Sequence, residues 1–394
     1  MTSARARRPT TSMRALAGGA ALAAIVGPAG AVAGQTSPPV PVVIAPAAAA
    51  DTPETYPLVF LFQGDAVVDS TPSGTGDFAG NDPTAGSHLR LRRLRVGEDV
   101  ARGSFRLRAI LEAQNRADAF APLEGQRLPL ARTVRLTEAF VAWRPHRAVE
   151  LDAGAQRVPF SLSRQVDELD LRLPERAQAV VALAPDYRTG VAFTSDLGAL
   201  NIRLSGMSAD RSIDDELFSS GFFGALRIGA DPIGPMGSAP WRSVRPGDPW
   251  YCWPRFSAGV SVLYGTLLAP RTLGFGADGQ LQARRVTVAG EYLAQHIGGD
   301  AAALPAQGAV LEPGVYAIRE RLEVVLRGAW YRQPAAPSSS ASSGSTDTLA
   351  AGGALTFLAR GAHLRVQGGL ELRHTLGDRL PDSSWGILRL SLAL

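Results

Sequence analysis

The chain has 394 residues, no lysine and a single cysteine, Cys252. One cysteine excludes an internal disulfide, even in an oxidising compartment. With lysine absent, all 40 basic side chains are arginine, whose guanidinium stays charged and can hold an oxyanion through two parallel hydrogen bonds. A composition-biased genome accounts for the same usage. Beyond the N-terminus no uninterrupted apolar run reaches the roughly 18 residues that a membrane-spanning helix needs. Amphipathic helical periodicity is almost missing as well, so any membrane insertion has to use strands. The five histidines, His88, His146, His296, His363 and His374, form no metal-ligand spacing with Cys252 or with acidic residues. No metal and no cofactor is expected.

The N-terminus has the composition of an address. Arg5, Arg7, Arg8 and Arg14 precede the apolar run Ala15 to Val26 and the small-residue triplet Ala31-Val32-Ala33, which predicts a secretory signal over residues 1–33. Pro9-Thr10-Thr11 follows Arg7-Arg8 where a twin-arginine signal wants apolar residues, so the general export route is expected. Residues 34–55 are rich in Pro and Ala and read as an extended leader. The whole chain carries 40 basic and 36 acidic residues; removing the four arginines of the signal leaves 36 against 36. A mature chain of zero net charge has no nucleic-acid footprint, and none is expected as a partner.

What remains alternates. Period-two segments predict strands near 56–69, 88–96, 103–114, 132–143, 148–157, 188–195, 199–207, 221–229, 255–264, 277–284, 286–295, 314–320, 322–332, 348–359, 362–374 and 385–394. About sixteen strands is an even number, as a bacterial single-chain membrane barrel requires. The links alternate too. Short ones fall at 97–102, 144–147, 196–198, 284–285, 321 and 360–361; long ones fall at 70–87, 115–131, 158–187, 208–220, 265–276, 296–313, 333–347 and 375–384. Short turns on one rim and long loops on the other predict an all-β transmembrane antiparallel barrel over residues 56–394. One link breaks the rule: 231–254, rich in Pro and carrying Trp241, Trp250, Tyr251 and Trp253, stands where a short turn was due. Its rings suit either the membrane interface or an ordered loop packed on itself.

Face chemistry supports a barrel in lipid. Val149, Leu151, Ala153 and Ala155 alternate with Glu150, Asp152, Gly154 and Gln156, and Leu364, Val366, Leu370 and Leu372 alternate with Arg365, Gln367, Glu371 and Arg373. Side chains of about sixteen strands cannot fill the interior, which leaves an aqueous channel. Pro159 cannot donate to a ladder, so pairing ends there and the longest link begins. Folded inward, this third long loop would narrow the channel, and Arg157, Arg164, Arg172 and Arg176 beside Asp167, Glu168, Asp170 and Glu175 would make the constriction polar.

The stretch GAQRVPFSL, residues 154–162, followed by PERAQAVVALAPDYRTGVAF, residues 174–193, resembles the phosphate-selective porin O and P family. Gly154, Arg157, Val158, Pro159, Phe160 and Ser161 match one family pattern; Glu175, Arg176, Pro185, Asp186, Arg188, Gly190 and Val191 match the next more loosely. TEAFVAWRP at 137–145 is similar to the strand before them. The resemblance implies a sixteen-stranded, trimeric outer-membrane porin with its third loop inside the lumen, passing small anions along basic side chains. Two departures are visible: there is no lysine for a basic pore mouth, and Leu394 stands where such barrels usually end in an aromatic residue.

By face, the candidate lumen arginines are Arg90, Arg92, Arg106, Arg108, Arg203, Arg327, Arg365, Arg373 and Arg389, with ion pairing to acids on adjacent strands as the other role for each. Arg93, Arg95 and Arg135 break the alternation and read as rim or bulge residues. His374 near Ser383 and Ser384 is the only arrangement with even the outline of a hydrolase, and no enzyme is expected. The sequence leaves a diffusion pore for small hydrophilic solutes, possessing or lacking anion preference, and a non-conducting structural or adhesive barrel as alternatives. Outer-membrane lipid, small solutes and two further copies of the chain are the expected partners.

Overall fold

The alternating segments pair with one another and leave no free edge. The computed structural model describes residues 58–69, 87–115, 132–168, 170–209, 221–233, 253–266, 271–297, 306–318, 321–333, 346–359, 364–376 and 383–393, all within the unit Asp51–Leu394. The export signal, the leader and Cys252, Trp241, Trp250 and Tyr251 lie outside the described residues. Among those described, no helix is long and apolar enough to cross a membrane.

The strands are β1 (Leu58–Asp69), β2 (Ser87–Arg102), β3 (Phe105–Asn115), β4 (Arg132–His146), β5 (Val149–Arg157), β6 (Tyr187–Leu197), β7 (Leu200–Ser208) and β8 (Phe222–Ile233). They continue as β9 (Arg255–Gly265), β10 (Thr272–Ala283), β11 (Val286–Ile297), β12 (Ala306–Ile318), β13 (Leu322–Gln333), β14 (Thr346–Leu358), β15 (Leu364–Leu376) and β16 (Ser383–Ala393). Two short helices, α1 (Leu162–Gln165) and α2 (Gln178–Leu183), stand between β5 and β6. Each strand pairs antiparallel with its sequence neighbours, and β16 pairs with β1 to close the barrel. Closure satisfies the backbone of every wall strand inside the wall, which is what allows a sheet to face lipid.

Three boundaries differ from expectation. The segment 97–102 is not a turn: β2 runs through it to Arg102, and Asp99 stands opposite Arg108 in register. Its charges are an inward cross-strand pair, and the turn is Gly103-Ser104. On the other side, β12 begins at Ala306 rather than near 314, and β10 begins at Thr272 rather than near 277. Pro313 pairs in register with Val288, and the β12–β13 register is the same on both sides of it. The two-residue turns Arg147-Ala148, Gly198-Ala199 and Arg284-Arg285 share a rim with Gly103-Ser104, opposite the rim of the connections 70–86, 116–131 and 158–186.

The two faces separate cleanly. Val260, Phe275, Leu311, Leu326, Leu355, Leu370 and Leu388, on seven different strands, are exposed on the outward face. The intervening positions are buried and polar, among them Gln63, Asp65, Glu112, Glu323, Arg327, Gln367, Glu371 and Arg389. This inverts a soluble protein, as a wall between hydrocarbon and a polar interior requires. On the outward parity at the long-connection end, Arg332 forms a two-armed ion pair with Asp347, and the Trp330 indole donates to the same carboxylate at 3.1 Å. An indole beside a paired charge is the chemistry of the membrane interface.

One apolar cluster lies on the inward side. Val158, Phe160, Ala179, Val180 and Leu183 pack against Met207 of β7, Phe223 and Ala225 of β8, Leu263 of β9, Leu293 of β11 and Val310 of β12. Two wall glycines make the approach possible. A Cβ on Gly308 would stand 2.5 Å from that of Ala179, and one on Gly369 would stand 2.7 Å from the Pro174 ring. Phe160 is fully buried in this cluster. Phe160→Ala should lower stability by about 3 kcal/mol, from lost burial and the cavity left behind. The urea midpoint of the refolded protein measures it; an unchanged midpoint would show that Phe160 is not packed in this way.

Candidate functional site

Residues 158–186 leave the wall because Pro159 has no amide hydrogen for the ladder. A segment with so little regular structure, once taken from water, must find partners for its own carbonyls. The inward wall supplies them. Arg365 donates to the Leu171 carbonyl and Arg389 to that of Pro174, while Gln295 donates to that of Leu183. Gln367 Nε2 reaches the Arg172 carbonyl at 2.7 Å and Arg327 reaches that of Glu175 at 2.8 Å. At α1, the Glu291 carboxylate of β11 accepts from the amides of Leu162 and Ser163 at 3.0 and 3.3 Å and from the Ser163 hydroxyl at 2.6 Å.

Opposite charges complete the attachment. Glu168 lies within 2.8–3.3 Å of four guanidiniums: Arg93 and Arg95 from β2, Arg157 from β5, and Arg176 of the segment itself. Burial opposes its ionisation, but Arg95, Arg93, Arg176 and Arg157 together outweigh burial and hold the carboxyl well below the usual glutamate range. Glu175 is bound by Arg92 through two bonds of 3.0 Å and by Arg389 at 2.8 Å. Arg389 also forks onto Asp65 at 2.7 and 2.8 Å, so one carboxylate of the segment ties together β1, β2 and β16. Arg172 pairs with Glu323 at 2.9 Å and donates to the Glu312 carbonyl and to Thr287.

The structure assembles nearly all residues singled out by sequence, and it pairs them. Arg106 and Arg108 share Asp99, and Arg108 also meets Glu138. Arg203 meets Asp152 at 3.6 Å and the Gln156 side chain at 2.8 Å. Arg327 lies between Glu312 and Glu371, and Arg373 also binds Glu371. Arg157 bridges Asp167 and Glu168 and takes the Tyr187 hydroxyl at 2.9 Å. Arg164 donates to the Val181 and Ala184 carbonyls and stands 3.6 Å from Asp186, and the Asp170 amide bonds to the Asp167 carbonyl. The side chains of Arg90 and Arg135 lie outside the described residues.

Sequence alternation missed the phase changes. Between Gln63 and Gly64 the β1–β2 register shifts so that Arg92 is the extra residue, and Arg93 and Arg95 then face inward onto Glu112. Adjacent Arg92-Arg93 within Arg90 to Arg95 is the visible mark of that bulge. A second shift, at Ile110/Leu111, makes Thr137 the extra residue and turns Glu138 inward. The Arg227–Asp278 pair was also missed, because both residues sit among glycines and alanines that show no clear face. His374 is exposed on the outward parity with Leu370 and Leu372, and the register sets Ser383 opposite Arg373 on the other face. Only Ser384 shares the parity of His374.

The family described as Phosphate-selective porin O and P matches residues 70–222. No curated protein matches the chain. Among solved structures, OprB of Pseudomonas putida is similar with a TM-score of 0.56 at 9% identity, over 86% of this chain and 94% of that one. An anion-selective porin from Comamonas acidovorans gives 0.51 at 12% identity, over 86% and 100%. The trimer form of OmpT, an outer membrane protein of Vibrio cholerae, gives 0.53 at 8% identity, over 86% and 99%. At such identities the likeness is one of fold. The match to the family Phosphate-selective porin O and P covers residues 70–222, and the wall that those residues help to close has the fold of the sixteen-stranded porin barrel.

Proposed function

We propose that the protein is an outer-membrane porin through which small hydrophilic solutes diffuse passively, with residues 158–186 lying in the lumen as its constriction. The observation that carries this reading is the spread of that segment's partners. One run of chain bonds to inward side chains of β2, β11, β13, β15 and β16 by way of Arg92, Glu291, Arg327, Gln367 and Arg389. Only a segment inside a closed ring reaches strands so far apart around it. The family over 70–222 and the porin neighbours support the same class. Outer-membrane lipid against the apolar face, export through the 1–33 signal, a barrel domain over 56–394 and assembly as a homotrimer, the last also seen in the OmpT form, belong to this proposal.

Anion preference is weak in this reading. The Comamonas acidovorans porin is anion-selective, but here the inward arginines are matched by Asp65, Asp99, Glu112, Glu138, Asp152, Glu168, Glu175, Glu312, Glu323 and Glu371. A paired guanidinium offers a passing phosphate little net field.

Refolded protein in a planar bilayer should give discrete KCl current steps with a zero-current potential near zero under a salt gradient, unaltered by added phosphate. A heat-stable barrel with no steps would instead be the structural or adhesive alternative. Glu175→Gln should loosen the constriction where it meets Arg92 and Arg389, raising single-channel conductance and open-channel noise. A wild-type trace from that variant would count against the proposed constriction. The Glu168 carboxyl is depressed in the fold, so its contribution to docking is present above the ordinary glutamate value of about 4.3 and is lost only as pH falls through the lower folded value. The conductance change between about pH 7 and about pH 5 should therefore be the same in the wild type and in Glu168→Gln, and a smaller change in that variant would contradict the Glu168 cluster.

A further inference from the structure

The interior is not evenly wet. On the far wall the side chains of Arg327, Arg389 and Arg373 are 3%, 4% and 5% exposed. On the wall from β3 to β7 those of Arg106, Arg203 and Arg108 are 36%, 23% and 20% exposed. The segment shows the same bias, since Asp167 and Asp186 are both 33% exposed where they meet Arg157 and Arg164. Its other side is sealed by the cluster of Phe160, Val180 and Leu183, which reaches from Ala192 of β6 and Met207 of β7 round to Val310 of β12, and by the bonds that the far-wall arginines make to its carbonyls.

The wetter wall also carries an ordered run of charge. Arg106 meets Asp99, Asp99 meets Arg108, Arg108 meets Glu138, Glu138 meets Arg157, and Arg157 meets Asp167. Beside this run stands the Asp152–Arg203 pair. Every cation has an acid within ion-pair reach, so a lone anion or cation entering the track must compete with an existing partner. A solute bearing both charges a few ångströms apart can satisfy both members of a pair at once, trading one set of charge-assisted hydrogen bonds for another.

Building on the channel reading above, we propose that permeation follows the β3–β7 wall and favours small zwitterions, with the Asp99 to Asp167 charge run and the Asp152–Arg203 pair as the determinants. The far-wall arginines, by contrast, fasten the constriction.

Two measurements on the full-length protein test this. Single cysteines are placed in a Cys252→Ser background at Thr194, which lies on the inward parity of β6 opposite Arg203, and at Ser391, a 2%-exposed inward position of β16. A negatively charged thiosulfonate should reduce the current of Thr194→Cys and leave that of Ser391→Cys unchanged. Glycine, acetate and methylammonium are then compared as blockers of KCl current. Glycine should halve the current at a several-fold lower concentration than either singly charged probe, and the Arg203→Gln/Asp152→Asn double variant should lose that advantage while still conducting. Modification at Ser391 but not at Thr194, or equal block by acetate and glycine, overturns the proposal and leaves the channel reading standing. Absence of any KCl current in the wild type overturns both.

Discussion

A stretch of backbone taken out of water must find a donor for each buried carbonyl, and the interior of this barrel is arranged around that requirement. The segment between β5 and β6 has two short helices and otherwise irregular chain, so its backbone is only partly satisfied from within, by helical turns and by Arg164 and Arg176. The wall answers with Arg327, Arg365, Gln367, Arg389 and Gln295, each aimed at a carbonyl of the segment. A guanidinium has five N–H donors in a fixed fork, so one side chain can serve a carbonyl and a carboxylate together. Arg389 does so with Pro174, Asp65 and Glu175, and Arg327 with Glu175, Glu312 and Glu371. An ammonium, with three donors radiating from a single nitrogen, matches that geometry less well. This gives the all-arginine composition a structural use whatever its genomic origin.

Charges so deeply buried have to be matched, because an unpartnered ion in the interior costs several kcal/mol. The forks of Arg327 and Arg389 are accordingly taken up by carbonyls and carboxylates of this chain. The apolar contribution divides the labour differently. The α2 side of the segment rests on Met207, Phe223, Leu263 and Leu293, and the Glu168–Glu175 side rests on ion pairs with β2 and β16. One side is held by water exclusion and the other by charge.

The wall was legible in the sequence because strand periodicity is a local property, and two chemically opposite faces make it strong. Leu370 against Glu371 or Leu388 against Arg389 needs no knowledge of the rest of the chain. Register was not legible. A one-residue bulge reverses every later side chain, so Arg93 and Arg95 looked misplaced until the shift at Gln63/Gly64 turned them inward. The start of β12 was placed too late, and the strand runs through Pro313 because a proline costs a single ladder bond and the pairing on either side of it persists. For the site, the charged residues of 157–176 were visible as a group. Their partners were not, because the Glu168–Arg93 and Arg172–Glu323 pairs join residues 75 and 151 positions apart, and no local pattern reports such a meeting.

The closing seam joins β1 to β16, the two ends of the described chain. Asp65 on β1 and Arg389 on β16 meet across it, and Glu175, from near the middle of the sequence, binds Arg389 and also Arg92 on β2. The separations involved, 324 and 214 residues, are long loops to close. Glu175 can take both arginines only when the first and last strands are already side by side. The attachment of the segment is therefore tied to the completion of the wall: a half-built wall has no place to dock it, and the docked segment acts as a latch on the finished ring.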